Sequence, residues 1–268
     1  MMSKNKVNKK KIKSVFKFII IAALFCGGIT LLILSPLFNI STIQVSGNQY
    51  YKSEDIIAAS ALTVGANGFK NINGSFKSLI SLRFSNSELN IINKLPYIKD
   101  AKVKYLPPNK VLIEVKERNP IALVPYTEVM LVIDREAYVL EVTNSESEEN
   151  SLPVAKGLEF DNYQVGQTLK IENIKNFEKL IILLDALTEE EKSDNFKILN
   201  YITMIDISDI ENVYIFVDSR LLVNYGDLSN LNYKIRAFKQ IFFKNINLDE
   251  KGILDFTKGE YPVFIPDR

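Results

Sequence analysis

The sequence of 268 residues contains no histidine and a single cysteine, Cys26. Without an imidazole, the chain cannot form a Ser-His-Asp or Cys-His nucleophile system or a histidine metal site. One cysteine cannot build a disulfide framework or a cysteine-based zinc site. Glycine-rich motifs that cradle phosphates are also missing, so the sequence predicts no cofactor, no metal ion and no small-molecule substrate.

Two kinds of catalytic site remain to be weighed. Asp134, Asp206 and Asp218 lie at the ends of apolar runs and are candidates for a carboxylate pair, but acids that end strands and turns are the commoner interpretation. A serine–lysine hydrolase needs a Ser-x-x-Lys motif at the start of a helix that faces a pocket, and no such motif stands out. We therefore predict that the protein is not an enzyme and that it acts through its surfaces.

Positive charge is concentrated at the start of the chain. The first 17 residues contain seven lysines and no acidic residue, whereas the formal net charge of the whole chain is only +1. The rest of the chain therefore has about six more acidic than basic residues. A mildly acidic body is a poor match for a phosphate backbone, so we predict no binding to nucleic acid.

An uncharged apolar run, FIIIAALFCGGITLLIL, follows the lysines. With its flanking residues it reaches the roughly 20 residues that a membrane helix needs. We predict a basic cytoplasmic tail at 1–17 and a transmembrane helix at 18–37, with the bulk of the chain outside the cell by the positive-inside bias. A cleaved secretory signal is the alternative, but no small-x-small pattern follows the run. Phe25 directly before Cys26 also argues against a lipoprotein signal.

Residues 38–119 are predicted to form a small α/β module. FNISTIQVSGN has the pattern of a strand with Ile43 and Val45 on one face. KSEDIIAASAL has the pattern of a helix with Glu54 and Asp55 in its first turn, where the helix dipole favours anions.

A second helix of this module is predicted to begin at Ser85. Ser85-x-x-Glu88 is typical of a capping box, and Leu89, Ile92 and Leu95 then recur at near-helical spacing. A hairpin follows, YIKDAKVKYLPPNKVLIEVKERNP, in which apolar and polar residues alternate on both sides of a proline turn. The predicted order is β-α-α-β-β, with both helices on one face of the sheet.

Residues 120–268 are predicted to form a larger mixed β-sheet domain with two helices, so that the fold class is α+β. Apolar runs predict strands at IALVPY, VMLVIDRE, AYVLEV, MIDISDI, NVYIFV and RLLVNYG, and the polar stretch 143–151 predicts a solvated loop. The first helix is predicted from an apolar stripe formed by Phe177, Leu180, Ile181, Leu184 and Leu187. The second is predicted to be capped by Ser229, with an inner face formed by Leu231, Ile235, Phe238 and Phe242.

This order of parts resembles the bacterial cell-division family DivIB/FtsQ. The segments FNISTIQVSGN and LPYIKDAKVKYLPPNKVLIEVKERNPIALV resemble the opening and the closing hairpin of that family's POTRA module. VMLVIDREAYVLE is similar to a strand pair of the family, in which a glycine is usual where Ala137 stands here. LPVAKGLEFDNYQVGQTL, LLVNYGDLSNLNYKIRAFKQI and GILDFTKGEYPVFIP fit the β domain.

The resemblance implies a non-enzymatic scaffold of the divisome, anchored as a single-pass type II protein in the cell membrane at the division septum. It implies partners among the bitopic division proteins, DivIC/FtsB-like and FtsL-like, and a link to the septal peptidoglycan synthase. In that family the POTRA module is associated with docking and the far end of the β domain with DivIC/FtsB binding. A POTRA-type chaperone or translocation component that binds extended client polypeptides is the alternative.

A partner-binding site is predicted at the last two apolar runs of the chain. An exposed strand edge offers unpaired backbone amides and carbonyls to which another polypeptide can add a strand. No later strand is expected to cover these runs. The predicted partner-binding residues are Leu254, Phe256, Thr257, Lys258, Tyr261, Val263 and Phe264. The alternative is that the apolar members of this set belong to the core of the β domain.

Overall fold

The computed structural model describes residues 4–144, 152–192, 197–209, 211–247, 249–259 and 261–267. The chain divides into two compact units, Met1–Glu117 and Arg118–Arg268. The second unit begins two residues before the predicted domain start at Pro120. Most of the polar stretch 143–151, predicted as a loop, lies outside the described residues.

The chain begins with one long helix, α1 (Lys4–Ile33). Its segment Lys13–Ile33 has a mean hydropathy of 2.4, and within the described ranges it is the helix long and apolar enough to cross a membrane. The helix ends before the predicted limit at residue 37, because Pro36 begins a short 3-10 turn over Pro36–Phe38. Proline lacks the amide that would continue an α-helix.

The rest of the first unit is a three-stranded sheet with helices. The strands are β1 (Thr42–Ser46), β2 (Ile98–Leu106) and β3 (Lys110–Glu117), in the order β1-β3-β2. β1 is parallel to β3, and β2 and β3 form the predicted antiparallel hairpin. The helices are α2 (Ser53–Ser60), α3 (Phe76–Ile80) and α4 (Ser85–Lys94). The predicted β-α-α-β-β order is confirmed, with the five-residue α3 as an unpredicted addition.

Alternate residues of the hairpin form the core of this unit, as their period predicts. Tyr105 is fully buried and lies at one end of the sheet. Its hydroxyl donates to the carbonyl of Phe38 at 3.0 Å and also to that of Pro108. A Cβ on Gly68 would lie 2.3 Å from the Tyr105 ring, so only glycine fits beside it. The other buried residues of β2 and β3 are Ile98, Ala101, Val103, Val111, Ile113 and Val115.

The predicted capping box at the start of α4 is wrong. Phe84 occupies the N-cap position and its side chain makes no capping bond, and the Asn86 amide in the first turn donates to the side chain of Asn73 at 2.9 Å instead. Glu88 instead turns inward, where it accepts two hydrogen bonds from Arg83 at 2.8 Å and one from the Val103 amide at 2.9 Å. The carboxylate therefore ties α4 to strand β2, and Leu89 is left 57% exposed on the outer side of the helix.

The second unit is a nine-stranded mixed sheet. Its strands are β4 (Pro120–Tyr126), β5 (Val129–Asp134), β6 (Val139–Thr143), β7 (Val154–Lys156), β8 (Ile202–Asp206), β9 (Val213–Val217), β10 (Leu221–Gly226), β11 (Gly252–Asp255) and β12 (Val263–Pro266). They lie in the order β12-β11-β10-β9-β8-β7-β4-β5-β6. The pairs β4–β7, β7–β8 and β10–β11 are parallel and the others antiparallel.

Two helices, α5 (Ile174–Glu190) and α6 (Leu231–Lys244), cover one face of this sheet. The four predicted inner residues of α6 are all buried. The predicted stripe of α5 is buried too, apart from Ile181, which packs at its margin. The predicted Ser229 cap of α6 is wrong, because Asn230 occupies the N-cap position in a left-handed conformation and its side chain makes no capping bond.

Ala137 lies in the tight turn between β5 and β6 with a φ of +55°. It is buried, and its amide donates to the carbonyl of Asp134 at 3.0 Å. A left-handed conformation costs a residue with a Cβ about 1 kcal/mol. Glycine has no Cβ and adopts a positive φ without this cost, which is why glycine suits the position where this chain has alanine.

We expect Glu88→Ala to lower the free energy of unfolding by about 2 kcal/mol, because it leaves the buried Val103 amide and Arg83 without an acceptor. Urea denaturation of the full chain in detergent, followed by circular dichroism, measures the change. Leu89→Ala is the control, because Leu89 is 57% exposed on the same helix, and it should cost less than about 0.5 kcal/mol. A cost of Glu88→Ala no larger than that of Leu89→Ala would contradict the structure.

Candidate functional site

The three acids considered for catalysis have separate structural partners. Each accepts a hydrogen bond from a different partner, and for Asp206 and Asp218 that partner lies two residues away in the chain. The pairs are Asp134 with Arg118 at 2.6 Å, Asp206 with the Ser208 amide at 2.9 Å, and Asp218 with Arg220 at 2.7 Å. In the part of the chain that the structure describes, no group of three or more acidic or cysteine side chains is arranged to hold a metal ion.

Arg118 organises the start of the second unit. Its guanidinium pairs with Asp134 and with Glu136 at 2.8 Å, and it stacks on the ring of Tyr138 at 3.7 Å. Burial by itself would lower the pKa of Arg118, but the hydrogen bonds to the two carboxylates outweigh burial and raise that pKa. These contacts hold the β5–β6 turn and leave Asp134 no free oxygen for chemistry, since its other oxygen accepts backbone amides.

Strand β12 is an edge strand. It pairs antiparallel with β11, and β11 pairs on its other side with β10. Among the described residues, β12 has a neighbouring strand on one side only. The predicted partner-binding segment thus contains a strand whose second side is open in the described structure. Whether a partner binds there stays a prediction.

The hydrogen-bond pattern identifies the backbone groups on the open side of β12. The Asp267 amide donates to the Lys251 carbonyl at 2.9 Å, on the inner side of the strand. Because alternate residues of an antiparallel pair bond to the same neighbour, Val263 and Ile265 also face β11. The amide and carbonyl of Phe264 therefore point outward. We call this open backbone of β12 the free edge.

The side chains of β12 divide between the two faces of the sheet. Phe264 packs against the core, while Val263 and Ile265 are 40% and 37% exposed on the opposite face. Tyr261, just before the strand, is 71% exposed. We call Tyr261, Val263 and Ile265 the exposed stripe. Ile265 was not predicted, although its period-2 relation to Val263 is visible in the sequence.

The other predicted partner-binding residues have structural contacts. Leu254 and Phe256 are buried in the core of the unit, which is the alternative that the sequence left open for them. Thr257 donates through both its amide and its hydroxyl to Asp255, at 2.8 and 2.7 Å. Lys258 lies 3.8 Å from the same carboxylate. These four residues shape the β11–β12 connection and expose little apolar surface.

A surface cleft of about 710 Å³ lies beside the start of β12. Phe256, Thr257 and Tyr261 line one part of it, and Asp227 and Lys234 line another. The cleft therefore joins the exposed stripe to the amino-terminal end of α6. Its lining combines aromatic rings with charged groups, which suits an amphipathic side chain of a partner better than a purely apolar one.

The charged part of this cleft is held in place by α6. Hydrogen bonds from Ser229, and then the Lys234 ammonium at 3.7 Å, lower the pKa of the Asp227 carboxyl. Lys234 also donates to the carbonyl of Tyr225 at 2.7 Å. Asp227 and Lys234 thus place a pair of opposite charges at this end of the cleft.

A second feature, an apolar row on the open face of the sheet, was missed by sequence reasoning. It runs across β8 to β12 through cross-strand neighbours and ends at the edge: Met204, Phe216, Leu222, Ile253 and Ile265. Its first four members are half-buried. Each strand shows the alternation by itself, but the row exists only because the strand order brings these residues side by side.

Gly252 allows β12 to pair closely with β11. A Cβ at this position would lie 2.2 Å from the carbonyl oxygen of Ile265 and 2.9 Å from the Cα of Pro266. Its φ of +157° is also one that side-chain-bearing residues rarely adopt. The position of the free edge therefore depends on glycine here.

Comparisons with known proteins agree with this architecture. A family model described as "POTRA domain, FtsQ-type" matches residues 82–118. The cell division protein DivIB of Clostridium tetani is 29% identical over 244 residues, which cover 88% of this chain and 83% of that protein. DivIB of Clostridium acetobutylicum is 26% identical over 240 residues, with 89% and 87% covered. The resemblance to the DivIB/FtsQ family is thereby confirmed.

A solved structure is also similar to this chain. It is the major extracytoplasmic domain of the trans isomer of DivIB from Geobacillus stearothermophilus. The match has a TM-score of 0.27 and 11% sequence identity, and it covers 49% of this chain and 99% of the solved domain.

We expect Gly252→Ala to loosen β12 from β11, because the new Cβ meets backbone atoms that cannot move independently. A strain of about 1.4 kcal/mol or more would speed hydrogen exchange of the Val263 and Ile265 amides, which face β11, by about tenfold or more. Hydrogen–deuterium exchange mass spectrometry of the full chain measures this. Gly259→Ala is the matched control, since Gly259 has a positive φ but open space around it. Equal protection of β12 in both variants would contradict the assigned role of Gly252.

Proposed function

Since this chain carries an FtsQ-type POTRA domain and is similar over most of its length to DivIB proteins, we propose that it is a membrane-anchored scaffold of bacterial cell division. Helix α1 anchors it in the cytoplasmic membrane, with the lysine-rich start inside the cell and both units outside. The protein performs no catalysis and acts by binding other division proteins at the septum. Both the POTRA domain, 38–119, and the β domain, 120–268, bind partner proteins.

The binding mode we propose is strand addition to the free edge of β12. The observation that carries this proposal is an edge strand whose outward backbone groups are open and whose exposed stripe is apolar. Exposed edges are normally protected in proteins that do not use them, because they recruit other chains. A partner segment in extended conformation would pair with Phe264 and place alternate apolar side chains beside Val263 and Ile265.

Two prolines limit how far such a partner can pair. Pro262 and Pro266 flank the outward-facing Phe264 and have no amide to donate. The free edge therefore offers one donor, the Phe264 amide, with acceptors at neighbouring carbonyls. Since a backbone hydrogen bond contributes only about 1 kcal/mol net, side-chain anchoring by the exposed stripe must supply much of the affinity. The prolines would also prevent indiscriminate edge-to-edge pairing.

The partners we propose are DivIC/FtsB-like and FtsL-like bitopic proteins, through which the scaffold is linked to septal peptidoglycan synthesis. Such proteins cross the same membrane, so their outer segments can reach the β domain. The free edge and the exposed stripe suit a partner segment that is extended and has apolar residues at alternate positions. An amphipathic residue of that segment would enter the cleft beside Tyr261.

A fluorescent fusion of the full chain, followed through the cell cycle, tests the division role. We expect the signal to concentrate at midcell in dividing cells, because a scaffold assembles with its partners there. A fusion that retains only α1 and the lysine-rich start controls for accumulation of membrane at the septum. A uniform membrane signal from the full chain in dividing cells would refute the proposed role.

We expect Val263→Lys and Tyr261→Lys to weaken partner binding by at least about tenfold, because an interface anchor contributes about 2 kcal/mol. The measurement is titration of the full chain in nanodiscs with a DivIC/FtsB-like protein of the same organism. Val142→Lys is the matched control, since Val142 lies on the opposite edge strand and is 37% exposed against 40% for Val263.

Two variants at position 264, measured in the same titration, separate the backbone contribution to partner binding from the side-chain contribution. Phe264→Ala removes the side chain but keeps the outward amide, whereas Phe264→Pro removes both. Phe264→Pro should bind the partner several-fold more weakly than Phe264→Ala, because it also loses the backbone hydrogen bond donated by the residue 264 amide. Equal affinities for these two variants would exclude pairing at Phe264, and unchanged affinity in the lysine variants would exclude the exposed stripe.

A further inference from the structure

The short helix α3 of the first unit exposes three large apolar side chains. Phe76 is 77% exposed, Ile80 70% and Leu79 47%, and the helix contributes no buried residue. It is nevertheless well formed, because Ser75 caps it through the Ser78 amide at 3.3 Å. We call Phe76, Leu79 and Ile80 the apolar tip. Such a concentration of apolar side chains on five consecutive residues is unlike the scattered exposure that is normal for a soluble surface.

The apolar tip lies at the same end of the first unit as the membrane helix. The carbonyl of Ile33, the last residue of α1, accepts a hydrogen bond from the Asn67 amide group at 2.9 Å. Two residues beyond Asn67, the ring of Phe69 contacts that of Phe38 with 5.1 Å between centroids. The loop that leads into α3 is therefore attached directly to the end of the span.

The chain that leaves α3 is fixed to the same end. The Leu82 carbonyl, two residues after the helix, accepts the Tyr105 amide at 2.8 Å. The Tyr105 hydroxyl in turn donates to the Phe38 carbonyl at 3.0 Å. Both ends of the α3 segment are thus held close to the point where the chain leaves α1. The α3 segment therefore lies at the end of this unit from which α1 leaves.

The charge of this segment favours an anionic surface. Residues 56–87 contain Lys70, Lys77 and Arg83 and no acidic residue. Residues 38–117 as a whole have ten basic and six acidic side chains, whereas residues 118–268 have 16 basic and 26 acidic ones. Positive charge is therefore concentrated in the unit next to the span. Lysines beside exposed apolar residues are typical of segments that lie in a bilayer interface.

We propose that the apolar tip inserts into the interface of the bilayer that α1 spans, with Lys70 and Lys77 at the lipid headgroups. Side chains in such a position reach about 5–10 Å into the boundary between headgroups and acyl chains. The aromatic ring of Phe76 and the branched chain of Ile80 supply apolar area, and the lysines add attraction to anionic lipids. The POTRA domain then has two attachments to the membrane, the span and the apolar tip.

This inference rests on the membrane anchoring proposed above, and the test separates the two. The chain contains no tryptophan, so each single tryptophan variant has one indole emitter. Full-length Phe76→Trp is reconstituted in nanodiscs of phosphatidylcholine and phosphatidylglycerol, with or without brominated acyl chains. We expect its emission to shift to shorter wavelength and to lose intensity in the brominated discs. Ile80→Trp repeats the measurement at a second exposed position.

Two further variants serve as controls. Phe25→Trp lies within α1 and reports whether the span is inserted. Tyr50→Trp lies at the opposite end of the sheet, where the Tyr50 amide donates to Glu117 at 2.8 Å. β3 separates that end from the membrane side by roughly 25 Å, so this indole should not be quenched. Circular dichroism verifies that all variants are folded.

The pattern of quenching among the tryptophan variants distinguishes insertion of the apolar tip from anchoring by α1 alone. Quenching of Phe25→Trp, Phe76→Trp and Ile80→Trp, but not of Tyr50→Trp, supports the inference. Quenching of Phe25→Trp without quenching at positions 76 and 80 overturns it, and would leave the apolar tip exposed for a protein partner. Absence of quenching in Phe25→Trp refutes the anchoring and the inference together. Adding Lys70→Glu and Lys77→Glu to Phe76→Trp should reduce quenching in discs with phosphatidylglycerol, and no reduction would exclude the headgroup contact.

Discussion

One apolar row holds the sheet of the second unit in register. It crosses six strands through cross-strand neighbours, and its members lie on the face covered by α5 and α6: Ala155, Ile205, Ile215, Val223, Leu254 and Phe264. A slip of one residue in any strand would turn its apolar side chains to the other face. Because Phe264 is the last member, this row also orients β12. With Phe264 inward, Val263 and Ile265 must face outward.

The edge strand combines two opposing requirements. An open backbone with apolar side chains is suited to binding another polypeptide, but it also favours unwanted pairing. The flanking Pro262 and Pro266 restrict the available donors, while Gly252 lets β12 approach β11 closely enough to stay attached. The open edge is therefore short and firmly held. A short, firmly held edge can select a partner through its side chains as well as through its backbone.

The first unit has a different organisation, centred on Tyr105. This residue connects the turn that precedes β1, the β2–β3 turn and the chain that leaves α3, all at the end where α1 stops. Its burial raises the pKa of the phenol, which keeps the hydroxyl protonated as a donor. Helix α1 is consequently joined to a structured platform. The contrast in charge between the basic first unit and the acidic second one gives the two units different surfaces for partners.

Features that depend on local period and composition could be predicted from the sequence. The apolar run of α1, the hairpin around Pro107 and the inner faces of α5 and α6 follow from spacing alone, and the resemblance to DivIB/FtsQ came from these parts and their order. The helix caps at Ser85 and Ser229 were predicted wrongly, because a carboxylate or hydroxyl at the right spacing can be recruited by another element instead. The division of the last strands into core and exposed residues could not be predicted, because it depends on how the strands are ordered in the folded sheet. Alternation separates two sets of side chains, but which set meets the helices depends on strands far apart in the chain.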